Sequence, residues 1–378
     1  MQTPLRRLGP SPPPHPVGEE NHPKGGAGGL IPGVDVESPS TAPTRGRPPP
    51  LSRGRILRCA LAVALGAFLA AASPAFAYTA YVTNEKGNSI SVIDTDKMEV
   101  MKTIKVGERP RGIALSKDDS QIFVCVGDDD TIQIVDAKTA KIIGNLPSGP
   151  DPEQLRVSPD GKTVYVANEN DALLTAIDVA SRKAVAEFPV GVEPEGVAVS
   201  PDEKMIVNTS ETTNMAHLID WPNRKIVANI LVDSRPRFAE FKPDGSELWV
   251  SSEVGGKVAV IDPMKKVITH KIEFDVPGLR KEQIQPVGIR FTSDGKLGFV
   301  ALGPANRVAV IDGATKRVLN YLLVGQRVWH LALTPDDKLL FTTNGVSNDV
   351  TVIDVASLKA IKSIPVGSYP WGVAITRK

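Results

Sequence analysis

The sequence predicts an all-β fold made of seven copies of one unit, and three observations support this prediction. A Val- or Ile-rich run that ends in aspartate recurs at intervals of 42 residues, with a single interval of 50. Each unit holds four short apolar runs separated by turn sequences such as SPDGK and KPDGS. Helical periodicity is not apparent in these runs. The aspartates that end the marker runs are Asp94, Asp136, Asp178, Asp220, Asp262, Asp312 and Asp354.

Four short antiparallel strands repeated every 40-odd residues are typical of the blades of a β-propeller. Seven markers therefore predict a seven-bladed propeller. The repeats begin with YTAYVTN at residues 78–84, which matches the second strand of a unit. They end with YPWGVAIT at residues 369–376, which matches a first strand. We therefore expect the last strand to complete the first blade, which closes the ring and covers the sheet edges.

The segment before the repeats predicts export. Residues 1–50 are rich in Pro and Gly and are predicted to be a disordered extension; a true translation start near residue 51 would explain them. Residues 51–77 combine a basic start, an apolar run at 60–72 and the cleavage motif AFA, which together predict a secretory signal peptide. The alternative of a membrane anchor is disfavoured because the apolar run is too short. Cleavage is expected between Ala77 and Tyr78, giving a periplasmic or secreted propeller over residues 78–378.

The composition of the predicted mature chain narrows its partners. Residues 78–378 carry 36 Lys and Arg against 39 Asp and Glu, a balance that does not favour nucleic acid and leaves no reason to expect membrane binding after cleavage. Its single cysteine, Cys125, allows no intramolecular disulfide and lies in the apolar run IFVCVG. We expect Cys125 to be a packed strand residue.

Function is expected where the copies differ. In a propeller the first strand of each blade lines the central channel, and the segment leading into it lies at one mouth, on the face of the second-to-third strand turns. These segments share a proline in six copies, while their flanking residues vary. The pattern predicts a ligand-binding mouth; a ring of ion pairs that only plugs the channel explains it equally well. The candidate residues are Arg109, Arg111, Asp151, Glu153, Glu193, Glu195, Arg235, Arg237, Gln285, Arg327, Trp329, His330, Tyr369 and Trp371.

Two other departures from the repeat are visible. The interval of 50 residues places an insertion around residues 274–286, in a fourth-to-first strand connection on the mouth face. Variation in loop length and a lid or docking loop are both open interpretations. In the fourth unit, His217 and Trp221 interrupt the pattern, and we expect them to serve packing.

The usual catalytic and cofactor motifs are missing from the sequence. Only His217, His270 and His330 follow the signal peptide, too few for a multi-histidine copper centre, and C-x-x-C-H, G-x-S-x-G and H-E-x-x-H do not occur. The marker aspartates suit hydrogen bonds to turn N–H groups better than metal binding. A Ca²⁺ site at the mouth carboxylates is a weaker alternative, because no EF-hand-like spacing supports it. We therefore predict no catalytic residue, no cofactor and no metal.

The repeat sequence also resembles a known family. YVTN at residues 81–84, followed by NSISVID and by the pattern I-x-V-G-x-x-P-x-G-(I/V)-A, resembles the YVTN-type propeller repeats of secreted bacterial and archaeal proteins. A seven-unit exported chain of this kind is similar to the periplasmic propellers associated with pyrroloquinoline quinone (PQQ)-dependent alcohol catabolism. This resemblance implies a non-catalytic binding or scaffold protein in the periplasm, accessory to a PQQ-dependent alcohol oxidation system, with a protein partner such as a quinoprotein dehydrogenase.

Two alternatives remain at this point. One is a lactonase-like hydrolase that uses the mouth carboxylates and His330. The other is a binder of a quinone or another anionic aromatic ligand, held by Trp329, Trp371 and the arginines.

Overall fold

The computed structural model describes residues 78–377. The predicted extension and signal peptide, including Ala77, lie outside these residues. The described chain forms seven four-stranded antiparallel sheets, arranged as the blades of a β-propeller. Three short 3-10 turns, at Glu85–Gly87, Gly127–Asp129 and Lys281–Gln283, are its only helical elements. Within the same residues, no helix is long and apolar enough to cross a membrane.

Blades 1 to 4 use the first fifteen strands and the last one. In chain order the strands are β1 (Thr79–Asn84), β2 (Ser89–Asp94), β3 (Glu99–Lys105), β4 (Pro110–Leu115), β5 (Gln121–Val126), β6 (Thr131–Asp136), β7 (Lys141–Pro147), β8 (Pro152–Val157), β9 (Thr163–Asn168), β10 (Leu173–Asp178), β11 (Lys183–Pro189), β12 (Pro194–Val199), β13 (Met205–Ser210), β14 (Met215–Asp220) and β15 (Lys225–Leu231). Blade 1 holds β1–β3, and blades 2, 3 and 4 take four strands each, with the innermost strand first.

Blades 5 to 7 repeat the same order. Their strands are β16 (Pro236–Phe241), β17 (Leu248–Ser252), β18 (Lys257–Asp262), β19 (Val267–Glu273), β20 (Ile289–Phe291), β21 (Leu297–Ala301), β22 (Arg307–Asp312), β23 (Val318–Leu323), β24 (Val328–Leu333), β25 (Leu339–Asn344), β26 (Asp349–Asp354) and β27 (Lys359–Pro365). The last strand, β28 (Pro370–Ile375), is the innermost strand of blade 1.

Ring closure by the last strand is confirmed. Strand β1 pairs with β2 on one side and with β28 on the other, where Tyr81 lies opposite Ala374. Beyond the strand, the N–H of Thr376 donates to the carbonyl of Thr79 at 3.0 Å, and the N–H of Thr79 donates to Oγ1 of Thr376 at 3.0 Å. Residues almost 300 positions apart in the sequence thus join the two ends of the described chain.

The core lies between the blades. Most residues in the second and third strands of each blade are buried, whereas β7 and the other outermost strands bury at most one residue each. Between blades 5 and 6, for example, the rings of Trp249 and Phe291 meet edge to face with centroids 4.7 Å apart. Cys125 is buried in the cluster between blades 2 and 3, as expected. Burial of each large apolar side chain stabilises the ring by roughly 1.5–3 kcal/mol.

The marker aspartates bind the turns that follow them, as their position predicts. Asp178 Oδ1, for example, accepts the N–H of Ser181 at 2.7 Å, and Asp312 Oδ1 accepts the N–H of Thr315 at 2.6 Å. All seven carboxylates make this contact, with an N–H group two or three residues ahead. These turns lie on the face opposite the mouth.

The insertion at residues 274–286 packs onto the propeller. Phe274, Val276 and Ile284 are buried in the core between blades 5 and 6. The N–H of Asp275 also donates to the hydroxyl of Tyr321 at 2.9 Å. The insertion is therefore anchored at both ends by apolar contacts, and a docking role for it stays a prediction.

His217 and Trp221 both make packing contacts. Nε2 of His217 accepts the N–H of Gly191 at 2.9 Å. The indole of Trp221 lies edge to face on Tyr165, with centroids 4.8 Å apart. Both residues thus hold blade 4 against neighbouring segments.

Candidate functional site at the channel mouth

The segments leading into the innermost strands build the mouth from concentric rings. The outer ring contains the residue that precedes each inner strand or its equivalent: Arg109, Asp151, Glu193, Arg235, Gln285, Arg327 and Tyr369. All except Gln285 have φ between 54° and 58°, a left-handed conformation that is uncommon for residues other than glycine. This conformation turns the chain from the rim of one blade into the channel.

Contacts between blades hold the outer ring in place. The N–H groups of five outer-ring residues donate to the side chain of the residue 21 positions earlier in the sequence. That residue lies on the preceding blade. The pairs are Arg109 with Asn88 (3.2 Å), Asp151 with Asp130 (2.9 Å), Arg235 with Asn214 (2.9 Å), Arg327 with Asn306 (2.8 Å) and Tyr369 with Asn348 (2.8 Å). The constant spacing of 21 residues between donor and acceptor is visible in the sequence and is the signal for this role.

Inside the outer ring, Arg111 and Glu153 form the centre of a buried ion-pair cluster on blades 1 to 3. Nη1 of Arg111 lies 2.6 Å from both carboxylate oxygens of Glu153, and Nη1 of Arg109 lies 3.0 Å from Oε1 of Glu153. Arg111 also binds Oε1 of Glu85 through Nη2 at 3.0 Å. Burial alone would raise the pKa of Glu153, but the charge and hydrogen bonds of Arg111 outweigh it and bring this pKa to about 2. Glu153 is therefore ionised and neutralised in place.

A second cluster lies on blades 4 and 5. Arg237 contacts Glu195 at 3.2 Å, Glu211 through a short hydrogen bond, and Glu253 at 3.7 Å. Arg235 shares two of these partners, with Nε 2.8 Å from Glu211 and 3.3 Å from Glu253. Burial opposes the charge of Arg237, but the surrounding carboxylates raise its pKa above the usual range, so the guanidinium stays cationic.

The aromatic residues of the mouth are covered by cations. The guanidinium of Arg327 lies 4.3 Å from the ring centroid of Trp329, and its Nη2 binds Glu253 at 2.7 Å. Nη1 of Arg327 donates to Oε1 of Gln285 at 2.9 Å. On blade 1, Nζ of Lys86 lies 3.5 Å above the ring of Tyr369. These contacts fix the rings of Trp329 and Tyr369 by cation–π attraction.

Four glutamates at the mouth were missed by the sequence reasoning. Each follows the second strand of its blade, and the four are spaced by multiples of the 42-residue repeat, with intervals of 84, 42 and 42: Glu85, Glu169, Glu211 and Glu253. That recurrence was the available signal. Glu169 shares a hydrogen bond with Glu153, and burial together with the charge of Glu153 raises the pKa of Glu169 to about 7.

The carboxylates around Glu153 are the part of the mouth that most resembles a cation site. One oxygen each of Asp151, Glu153 and Glu169 lies within 4.8 Å of the others. However, Arg109 binds both Asp151 and Glu153, and Arg111 binds Glu153 as well. A metal ion would have to displace these guanidinium groups, so the arrangement fits an ion-pair cluster better than a metal centre.

Below these ion pairs, glycines and larger residues share the next level of the channel and alternate except at Gly372 and Gly112, which are neighbours. This deeper ring contains Gly112, Gln154, Gly196, Phe238, Gly288, His330 and Gly372. A Cβ on Gly112 would lie 2.5 Å from the carbonyl oxygen of Glu153, and one on Gly288 would lie 2.8 Å from that of Trp329. The glycines thus let neighbouring inner strands approach closely, while Gln154, Phe238 and His330 fill the channel.

His330 lies within this plug. Its ring centroid is 4.1 Å from that of Trp371 and 5.3 Å from that of Phe238. Burial lowers the pKa of His330 well below its usual value, and the positive charges of nearby arginines, Arg290 first among them, lower it further. The imidazole is therefore neutral, and Trp371, only 2% exposed, is also part of the plug.

The structure brings the predicted mouth residues together in two layers. The five arginines all pair with at least one carboxylate, so the ion-pair interpretation describes this part of the mouth. Trp371 and His330 lie deeper, in the channel. Ligand binding by the candidate set stays a prediction.

The fold and the mouth define the class of protein: this is a seven-bladed β-propeller. A family model described as a YNCE-like beta-propeller matches residues 55–171. No curated protein matches the sequence.

Solved structures share the fold. Hydrazine synthase of Kuenenia stuttgartiensis is 22% identical with a TM-score of 0.66, and the match covers 74% of this chain and 92% of that one. A functionally unknown protein of Desulfotomaculum acetoxidans is 17% identical with a TM-score of 0.68, covering 79% and 98%. The dihydro-heme d1 dehydrogenase NirN in complex with DHE is 16% identical with a TM-score of 0.61, covering 78% and 74%. These likenesses show the fold alone, which suits binding and enzymatic roles alike.

Proposed function

We propose that the protein is an exported, non-catalytic binding protein that docks a positively charged partner protein on one part of its mouth face. The observation that carries this proposal is the charge of the mouth loops on blades 2 to 4. We call these loops, residues 106–109, 127–130, 148–151, 169–172 and 190–193, the acidic arc. They hold eight Asp and Glu residues, of which Glu169 is partly protonated at neutral pH, and a single arginine, Arg109.

The carboxylates at the front of the acidic arc face solvent. Glu108, Asp128, Asp129 and Asp130 are all exposed. Arg109 binds Asp128 at 2.7 Å, which neutralises one of these charges. A concentrated charge of one sign attracts an oppositely charged partner and raises its association rate, and salt screens this attraction.

Hydrogen bonds fix the shape of the acidic arc. Oδ2 of Asp129 accepts the N–H of Glu108 at 3.0 Å, which ties the loop before β4 to the turn after β5. Oδ1 of Asp130 accepts the N–H of Asp151 at 2.9 Å, which ties blade 2 to blade 3. Because these hydrogen bonds already hold the loops in place, binding a partner would cost the propeller little conformational entropy.

The partner in this proposal is a basic component of a PQQ-dependent alcohol oxidation system in the periplasm, such as a quinoprotein dehydrogenase. The repeat resemblance and the predicted signal peptide support this choice. The two alternatives have less support. Hydrolysis would need His330 beside the mouth carboxylates, but its ring packs between Trp371 and Phe238. An aromatic ligand on Trp371 would need an accessible indole, but this side chain is buried.

The experiment is capture of partners from the periplasm of the native host by residues 78–378, in parallel with two variants. The arc variant carries Glu108→Gln, Asp128→Asn and Asp129→Asn, which keep an acceptor oxygen at each position. The control carries Asp96→Asn, Asp202→Asn and Asp244→Asn, an equal charge change at exposed positions on the opposite face.

We expect the wild type and the control to capture a basic protein at low salt, and the arc variant to lose it. Mass spectrometry then identifies the partner. Capture of a quinoprotein dehydrogenase component supports the full proposal, and a different basic protein overturns the PQQ role alone. Equal capture by all three proteins overturns the proposed docking surface.

A further inference from the structure

A small cavity lies in the channel just below the mouth. Gln154, His330, Trp371, Arg156 and Arg290 are among the residues that border it. It has about 20 Å³ of space for the centre of a water-sized sphere. Since a single water needs roughly 10–15 Å³ by this measure, the cavity holds one particle of about that size.

Three of the residues that border this cavity each carry a buried side-chain nitrogen with no hydrogen-bond partner among the described residues. These atoms are Nε1 of Trp371, Nε2 of Gln154 and Nε2 of His330. The three residues are 2%, 4% and 4% exposed. A buried donor without an acceptor costs about 1–3 kcal/mol. Trp371 and Gln154 each present a donor, and Nε2 of the neutral His330 is a donor in one of its two tautomers, so a bound acceptor would satisfy all three groups.

The charge around the cavity is positive. Nη2 of Arg156 and Nη1 of Arg290 lie 2.9 Å and 3.0 Å from the same oxygen, Oε2 of Glu240. Both guanidinium groups also lie 5.1 Å from the ring centroid of Phe238. One carboxylate neutralises one of the two arginines, and His330 adds no negative charge. A partly buried positive charge without a counter-charge is unfavourable.

We infer that the channel cavity is a binding site for a small monovalent anion of the halide class, held by the N–H groups of Trp371, Gln154 and His330 beside the Arg156–Arg290 pair. A water molecule would satisfy the donors but would leave the charge uncompensated. A cation would meet two guanidinium groups and N–H donors. The anion connects inner strands from blades 1, 3, 6 and 7 and so stabilises the ring at its centre.

Anion binding in the channel and partner binding on the acidic arc are independent, so either can fail without the other. The first test is diffraction from wild-type crystals grown in sodium bromide, recorded at the bromine absorption edge. We expect one anomalous peak in the channel, within hydrogen-bond distance of Nε1 of Trp371. A channel without such a peak overturns the inference, whatever happens to the variants.

The second test is thermal unfolding in sodium chloride and in sodium gluconate at equal ionic strength. We expect chloride to raise the melting temperature of the wild type saturably. Arg290→Gln removes the excess charge and should abolish this shift, and Gln154→Met, which removes one donor at similar volume, should weaken it. Arg317→Gln, at an exposed arginine far from the channel, is the matched control and should keep the full shift. Equal chloride shifts in all four proteins would contradict a channel site.

Discussion

Nη1 of Arg111 on blade 2 lies 2.6 Å from both carboxylate oxygens of Glu153 on blade 3. The contact crosses a blade interface at the point where two inner strands enter the channel. Arg109 reaches the same carboxylate, and Arg237 repeats the arrangement between blades 4 and 5. The charges that first suggest a ligand site therefore stabilise the inner edge of the ring.

Removing Arg111 should destabilise the propeller strongly. Glu153 is fully buried, and Arg111→Met leaves it with a single cationic partner. Breaking a buried pair from one side costs about 3 kcal/mol. We expect a loss of this size in the free energy of unfolding, measured by denaturant titration. Lys204→Met, which breaks an exposed pair with Asp202, is the control and should change stability by less than about 0.5 kcal/mol. Similar small losses in both variants would contradict a structural role for the Arg111–Glu153 pair.

Acid should destabilise the fold through the marker aspartates. Hydrogen bonds from the following turn lower the pKa of all seven: backbone N–H groups contribute most at Asp94, Asp136, Asp262 and Asp312, and turn side chains contribute most at Asp178, Asp220 and Asp354. Because the unfolded chain binds protons more readily than the folded one, stability is present above the unfolded pKa of about 4 and is lost as pH falls below it. The measurement is the free energy of unfolding between pH 5 and pH 3. Asp178→Asn, which keeps an acceptor but does not titrate, should show a smaller loss; a flat wild-type profile would contradict this account.

Glu169, in contrast, should make the fold less stable as the pH rises. Its pKa is raised to about 7, so the folded state holds a proton that the unfolded chain releases near pH 4–5, and stability is lost as pH rises towards 8. Buried His217 and His330 have lowered pKa values and oppose this trend, so the useful quantity is the difference between variant and wild type.

Glu169→Gln keeps a donor towards Glu153 without a charge. We expect its stability relative to the wild type to increase by about 1 kcal/mol between pH 5 and pH 8, a value reduced for partial exposure. Glu99→Gln, at an exposed strand position, is the control and should show no such increase. Parallel profiles for the wild type and Glu169→Gln would contradict the shared proton.

The sequence was sufficient for the fold because the repeat period and strand patterning are local signals. The match of YPWGVAIT to a first strand predicted that β28 would pair with β1, and this is confirmed. The mouth residues could be located from the sequence because the repeat shows which run of each unit is the first strand, the one that lines the channel. Their pairing was not predicted: whether Arg111 meets Glu153 or a ligand depends on side-chain geometry across two blades. Glu211 and Glu253 were missed because they lie in the turns after the second strands, outside the segments in which the copies were compared.

The central claim is that the acidic arc is the docking surface, and zero-length carbodiimide cross-linking tests it most directly. The reagent joins carboxylates to lysines in contact, so the mature protein is treated together with its captured partner and the cross-links are read by mass spectrometry. The account predicts cross-links from Glu108 and Asp128–Asp130 to partner lysines, lost at raised salt. Cross-links confined to carboxylates of the opposite face, such as Asp96, Asp202 and Asp244, would contradict it.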